Sequence, residues 1–420
     1  MTLLQAPPKG RSRFDELLAP VSAEAFIEEY WEKRHLFVHR SDPTFYGSIF
    51  SIEDADRWLT AAQPSDRSCL LIVPPADSGE PHRRVRPRDV AMEQLYDAFY
   101  RGCTLVFEGV EQAWAPVSML ARSVSEALGA RVTVNLYMTP AGTQGVRVHP
   151  DVQDVFVVQL EGSKDWFLYT QNHDPALDTL AYLRQLKKPV PPMEDLPLAE
   201  HQTLHQGDLL YIPRGLPHKA VAPEDSPSLH LAVLVYPVYW VDFLKAAIEE
   251  LSTREPSLCQ SVPAGPTTPE TRRAIEETFR QLVDRFSREA DPTRTLATIR
   301  DAQLRRMSPA PDGHFKQLTR LDHLTPDTWI ERRTGLVPRV STDGDSAAVF
   351  FGRSHLRGPA SIGPTLEYIR DHRRFQVRDL AGRLTDQSKC VLVRRLILKG
   401  LLRMDLQGFE NGADSNVEDE

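Results

Sequence analysis

Three ionisable side chains stand where an apolar, strand-like segment has no packing use for them. They are His149, Asp151 and Lys164 in QGVRVHPDVQDVFVVQLEGSKDWFLY, residues 144–169. Each is costly to bury, so each either faces solvent or takes part in chemistry. In an extended chain, residues two apart point the same way, which puts His149 beside Asp151. A neutral imidazole next to a carboxylate makes two thirds of a 2-His-1-carboxylate set, which grips Fe(II) on one face and leaves positions open opposite. The third ligand must come from a distant strand. His218, after the strand and Pro/Gly turn of GDLLYIPRGLPHKAVAP, is the candidate. An HxD tripeptide by itself is usually a surface pair, and a lone His after a turn says less. The order carries the weight: HxD, strand, turn, strand, GDLLYIP, His.

Positioning these groups needs a barrel. From Gly129 to about residue 240 the chain alternates short apolar runs with turns: RVTVNLYMTP, DVFVVQL, a tight turn at EGSK, DWFLY, GDLLYIP and LHLAVLVYP. This pattern predicts an all-β barrel or double-sheet jelly roll. Ahead of it, AEAFIEEYWEKRHLFVHR reads as a helix turning extended. Residues 64–92, with the cluster HRRVRPR, read as a long solvated loop around the strand CLLIV. After Trp240, VDFLKAAIEELSTRE and TPETRRAIEETFRQLVDRFSREA carry helical periodicity. The last residues, NGADSNVEDE, are acidic, polar and read as disordered.

At this point the sequence resembles the JmjC-type oxygenases of the cupin-4 family, the group that includes the ribosomal-protein hydroxylases. The resemblance rests on FIEEYWEKRHLFVHR, ALGARVTVNLYMTPAGTQG, HPDVQDVFVVQLEGSKDWFLY, GDLLYIPRGLPHKA and SLHLAV, in family order over roughly the first 240 residues. It implies a mainly β catalytic core, a double-stranded β-helix, followed by an α-helical dimerisation domain and a winged-helix-like α+β domain. The expected boundaries are 1–240 for the core with its N-terminal helical extension, 241–335, 336–408, and a tail at 409–420. It implies an Fe(II)- and 2-oxoglutarate-dependent dioxygenase that uses O2 to hydroxylate a protein or peptide side chain, with a ribosomal protein as the foremost substrate. His149, Asp151 and His218 become the metal ligands. Lys164 matches the group that clasps the far carboxylate of 2-oxoglutarate. Asn135, Tyr137, Ser228 and His230 match pocket positions. Two departures stand out: Pro150 lies between His149 and Asp151 where the family often has an aromatic, and Ala232 and Leu234 replace hydroxyl residues that help bind the cosubstrate.

Other readings compete. A tailoring hydroxylase of a ribosomally made peptide differs only in substrate. A DNA-binding regulator would use Arg394, Arg395 and Lys399 near the C-terminus. A net charge of −8 over 420 residues argues against wholesale nucleic-acid binding, so these cations read as a solvated helix face. A barrel without its metal is disfavoured by the intact HPD…His order. His201 and His205 read as loop residues before QGDLLYIP, and His173 as a surface residue. Cys69, Cys103, Cys259 and Cys390 form no CxxC pair, so neither a zinc knot nor a disulfide framework is expected. No apolar run suits a membrane span or an export signal, and the expected location is the cytoplasm.

Overall fold

The structure, a computed structural model, describes residues 12–61, 69–72, 83–85, 92–170, 196–265, 268–306, 313–333, 336, 338–352 and 354–405. It has two units, one built on Met1–Pro237 and the other on Val238–Pro309 with Gly313–Glu420. The first unit opens with α1 (Arg13–Leu18) and α2 (Ala23–Glu29). Ser12 and Ser22 cap them, accepting the backbone N–H of Asp15 and Ala25. Then come β1 (Leu36–Val38), α3 (Ile52–Ala61), β2 (Cys69–Ile72), β3 (Arg83–Val85), α4 (Met92–Tyr100), β4 (Thr104–Glu108) and α5 (Ala115–Leu128). Helix α5 stops at Gly129, whose φ of 61° suits a residue without a Cβ.

The remaining strands of this unit are β5 (Arg131–Thr139), β6 (Asp154–Tyr169), β7 (Leu198–His205), β8 (Leu209–Ile212), β9 (His218–Val221) and β10 (Ser228–Tyr236). The antiparallel order is β1-β8-β6-β10-β5-β4-β2-β3, with β7 and β9 both joined to β6. Strand β6 corrects the sequence reading, because EGSK is not a turn between two strands. One 16-residue strand runs through it. Its first half pairs with β8 and β10, its second half with β7 and β9, so one strand serves both walls of the barrel. The change of wall comes at Gly162, where φ is 65°, next to an irregularity in the β6–β10 register. His201 and His205 lie in strand β7, not in a loop; Phe167 stacks on the His201 ring at 4.3 Å.

Both faces of β6 are buried, which is why its first half is a continuous apolar run. Phe156, Val158 and Leu160 face a core shared with Phe14, Phe26 and Tyr211 under the N-terminal helices. Val155 and Val157 face the barrel interior with Leu210, Ile212 and Ala232.

The second unit begins with α6 (Trp240–Ser252), α7 (Pro269–Glu289), α8 (Pro292–Arg306) and α9 (His314–Leu318). Its strands are β11 (Trp329–Arg332), β12 (Arg339–Asp343), β13 (Ser346–Phe351), β14 (Ser354–Pro359), β15 (Arg374–Gln376) and β16 (Leu402–Met404), with helices α10 (Gly363–Asp371) and α11 (Asp386–Leu398). They form two small sheets, β15-β11-β16 and β12-β13-β14, around one apolar core. The strand β11 thus precedes residue 335 yet pairs with strands far beyond it. His173, the acidic end at 409–420 and most of HRRVRPR lie outside the described residues. Among the described residues no helix is long and apolar enough to cross a membrane.

A Cβ at Gly162 would stand 1.8 Å from the Pro227 carbonyl oxygen, at a φ that L-residues rarely adopt. Gly162→Ala is therefore expected to cost roughly 3 kcal/mol or more, read as a lowered chemical-denaturation midpoint. An unchanged midpoint would refute this account of the bend.

Candidate metal centre

The three ligand candidates converge through backbone pairing. His149 and His218 exchange both hydrogen bonds, N to O at 3.1 and 3.0 Å, as an isolated antiparallel bridge. Gly215 N–H donates to the Asp151 carbonyl at 2.7 Å, tying HPD to the PRGLPH turn. Asp151 itself lies outside any strand, so the same-face argument for HxD holds only locally. Asp151 Oδ1 is 3.7 Å from His149 Nε2, and Oδ2 is 3.7 Å from His218 Nε2. One atom from each residue falls within 4.8 Å of the others.

Those spacings exceed hydrogen-bond length and leave room for an ion between the groups. The tautomers suit the same role. His149 Nδ1 is 2.8 Å from the Arg147 carbonyl and His218 Nδ1 is 2.9 Å from the Leu216 carbonyl. A proton on each Nδ1 satisfies those carbonyls and leaves each Nε2 lone pair directed at the common point. Burial, then the neighbouring His149, pushes the His218 pKa down to about 4, so its imidazole is neutral and ready to ligate. Two neutral imidazoles and one carboxylate suit a divalent transition metal.

A pocket that includes this cluster runs into the barrel. Lys164 lies at its inner end, 2% exposed, with Nζ donating to Thr139 Oγ1 at 2.8 Å. Thr104 Oγ1 donates in turn to Thr139 at 3.3 Å. Among the described residues no carboxylate pairs with this ammonium. Burial pushes its pKa down to about 7. Gly145 faces it, and a Cβ there would stand 4.0 Å from Nζ and 3.8 Å from Thr104 Oγ1. An unpaired buried cation, two hydroxyls and the space left by a missing side chain fit a carboxylate group.

Residues 110–242 match the model of the JmjC domain. The chain is 33% identical to Ribosomal oxygenase 1 of Gallus gallus over 237 residues, 55% of this chain and 38% of that protein. It is 29% identical to Ribosomal oxygenase 1 of Homo sapiens over 373 residues, 86% of this chain and 54% of that protein. The Escherichia coli ribosomal oxygenase YcfD, solved with cobalt and 2-oxoglutarate, superposes with a TM-score of 0.56 at 17% identity, covering 92% of this chain and 99% of that one. This is a JmjC-domain protein related to the ribosomal oxygenases. Its matches span about two fifths to a half of the curated relatives' lengths.

Within the JmjC domain the other pocket candidates divide. Asn135, Tyr137 and His230 line the pocket with the triad and Lys164. The Tyr137 phenol is hydrogen-bonded with Asn135, and burial raises its pKa. His230 stacks on Tyr137 at 4.8 Å, with ring planes 8° apart, and meets the Trp166 edge at 5.8 Å. Burial, and then Lys164, holds the His230 pKa well below its ordinary value. Ser228 is not among the lining residues; its hydroxyl accepts from Gln159 Nε2 at 3.0 Å. Sequence reasoning missed Thr104, Thr139, Gly145 and Trp166. Thr139 was accessible, since it continues the period-two row of Asn135 and Tyr137; Thr104 comes from a strand 35 positions earlier in the chain and carried no local signal.

A second group steadies the metal-bearing turns from behind. Asp154, fully buried, accepts from Tyr211 Oη at 2.6 Å, and Tyr211 Oη accepts from Glu32 N–H at 2.9 Å. Arg214 Nε donates to Glu32 Oε1 at 2.9 Å, one residue before Gly215.

The state of Lys164 gives a pH prediction. With burial holding its pKa down at about 7, its amine is charged below pH 7 and increasingly neutral above it. A bound dicarboxylate favours the ammonium, so binding takes up a proton above pH 7 and affinity falls as pH rises from about 7 to 9. Calorimetry of 2-oxoglutarate binding in buffers of different ionisation enthalpy measures that uptake. Flat affinity with no proton uptake would refute the assignment.

Proposed function

We propose that the chain is an Fe(II)- and 2-oxoglutarate-dependent oxygenase that hydroxylates a side chain of a protein or peptide, a ribosomal protein being the foremost candidate. The observation that carries this reading is one pocket holding both the His149–Asp151–His218 cluster and a buried lysine with no carboxylate partner among the described residues. Bound there, a ferrous ion and 2-oxoglutarate supply the oxidising chemistry that activates O2 and inserts one oxygen atom into a C–H bond. The protein's part is geometric and electrostatic. The two imidazoles and Asp151 would hold the ion, and carbonyl contacts at each Nδ1 stop the rings from turning. Lys164 clasps the far carboxylate of the cosubstrate, with Thr139 and Thr104 fixing the ammonium. Asn135 and Tyr137 offer polar contacts along the wall. Val155, Val157, Ile212 and Leu234 keep the space around the reacting carbon apolar and exclude water. The ribosomal substrate is supported by the names of the relatives.

The domain roles belong to the same proposal: 1–240 for catalysis, the helical part of 241–335 for pairing with a second copy, and 336–408 as a winged-helix-like unit. The pairing is supported by α6, which leaves Trp240 77%, Leu244 47% and Ile248 46% exposed at helical spacing along one face. Light scattering is expected to give twice the chain mass, reduced by Trp240→Glu.

Asp151→Ala and His218→Ala are expected to lose Fe(II) binding and bring 2-oxoglutarate decarboxylation to background while the thermal midpoint of the metal-free protein holds. Mass spectrometry of a ribosomal-protein peptide panel should find one added oxygen with the unaltered protein alone. Normal 2-oxoglutarate consumption by Asp151→Ala would overturn the function.

A further inference from the structure

We propose that Glu32 is a positioning residue for the metal centre: through Arg214 its carboxylate holds the turn at 213–216, which meets two of the three ligand candidates. The inference rests on the metal-centre reading and adds to it a residue outside the pocket.

Among the described residues Glu32 is the only non-glycine with a positive φ, 54°, and it lies just past the end of α2. Glycine is the ordinary occupant of such a backbone, because a Cβ costs energy there. The seat itself is well fixed. Glu32 N–H donates to Tyr211 Oη at 2.9 Å, and the Tyr211 ring meets Trp31 at 6.0 Å and Phe26 at 4.8 Å. Those contacts use the main chain of residue 32 and the rings of other residues, so a glycine would keep them. What the glutamate side chain adds is a carboxylate that accepts from Arg214 Nε at 2.9 Å, across 182 positions of sequence. Both side chains are partly exposed, and ion pairs of that kind add little stability. Stability is therefore a poor reason for a glutamate on a left-handed backbone. Holding Arg214 in place is a better one.

Arg214 leads into the ligands by main chain. Its own N–H donates to Asp154 Oδ1 at 3.4 Å, and the next N–H, of Gly215, donates to the Asp151 carbonyl at 2.7 Å. One residue further, the Leu216 carbonyl faces His218 Nδ1 at 2.9 Å, and Leu216 N–H closes the turn on the Pro213 carbonyl at 3.2 Å. A tilt of this turn would shift the Asp151 main chain and free the His218 ring together. Neither Glu32 nor Arg214 is among the residues lining the pocket, so their effect on a bound metal passes through the turn.

The test reads Co(II) binding to the full chain by visible absorption, alongside the thermal midpoint of the metal-free protein. Glu32→Gly is expected to weaken Co(II) binding by about tenfold and to shift the absorption bands. The metal-free midpoint should not fall, because glycine suits this backbone. Glu32→Gln keeps the length and an acceptor oxygen, and should recover part of the affinity. Arg214→Leu should lose as much as Glu32→Gly, and the double variant no more than either. The proposal is overturned by unchanged Co(II) affinity and spectrum in Glu32→Gly, by a loss that comes with a lowered metal-free midpoint, or by losses that add in the double variant. Failure of the unaltered chain to bind Co(II) would overturn the metal centre itself, and this inference with it.

Discussion

The site depends on one short piece of backbone pairing, the two hydrogen bonds between His149 and His218. Neither residue's neighbourhood is a regular ladder on the HPD side; the bridge is isolated, and Gly215 adds a third bond to the Asp151 carbonyl. Ligand candidates from two segments far apart in sequence, His149 with Asp151 and His218, are thereby held by main chain, which has little freedom to drift. The side chains need only settle their ring orientation, and a carbonyl at each Nδ1 does that. A metal held on one face needs such stiffness, because its open positions are useful only if the protein ligands stay on their own side.

The second constraint is electrostatic. Lys164 is buried against hydroxyls and the Tyr137 ring with no counter-charge among the described residues, a condition a protein rarely tolerates for stability alone. Burial accordingly holds its pKa down. The same desolvation means that a negatively charged group brought beside Lys164 would offset this cost. The His149–Asp151–His218 group and the lysine line one pocket, at positions set by β6, β9 and the HPD segment.

Much of this was legible in residue order. The HPD…GDLLYIP…His succession, the resemblance built on it, and the row Asn135–Tyr137 named most of the polar residues that line the pocket. Local pattern failed where the fold bends or changes partner. EGSK has turn-like composition, yet ladders on both sides carry the chain through it as one strand, and Gly162 absorbs the change of wall. His201 and His205 read as loop because β7 is polar; it is an outer strand whose pairing with β6 overrides its composition. Ser228 shares the alternation of His230, but a hydrogen bond with Gln159 occupies its hydroxyl.

Residue types and their order by themselves determined that a strand-rich domain would set His149 beside Asp151 and bring His218 in after a strand and a turn, because period-two alternation and turn residues are local properties; a part for Lys164 came only with the family resemblance. Tertiary structure alone decided that Thr104 would meet Thr139 at the lysine and that Asp154, Tyr211 and Glu32 would support the metal-bearing turns. The physical reason is cross-strand register. It is set by which apolar faces must be buried together, a condition on the whole sheet that no single segment contains.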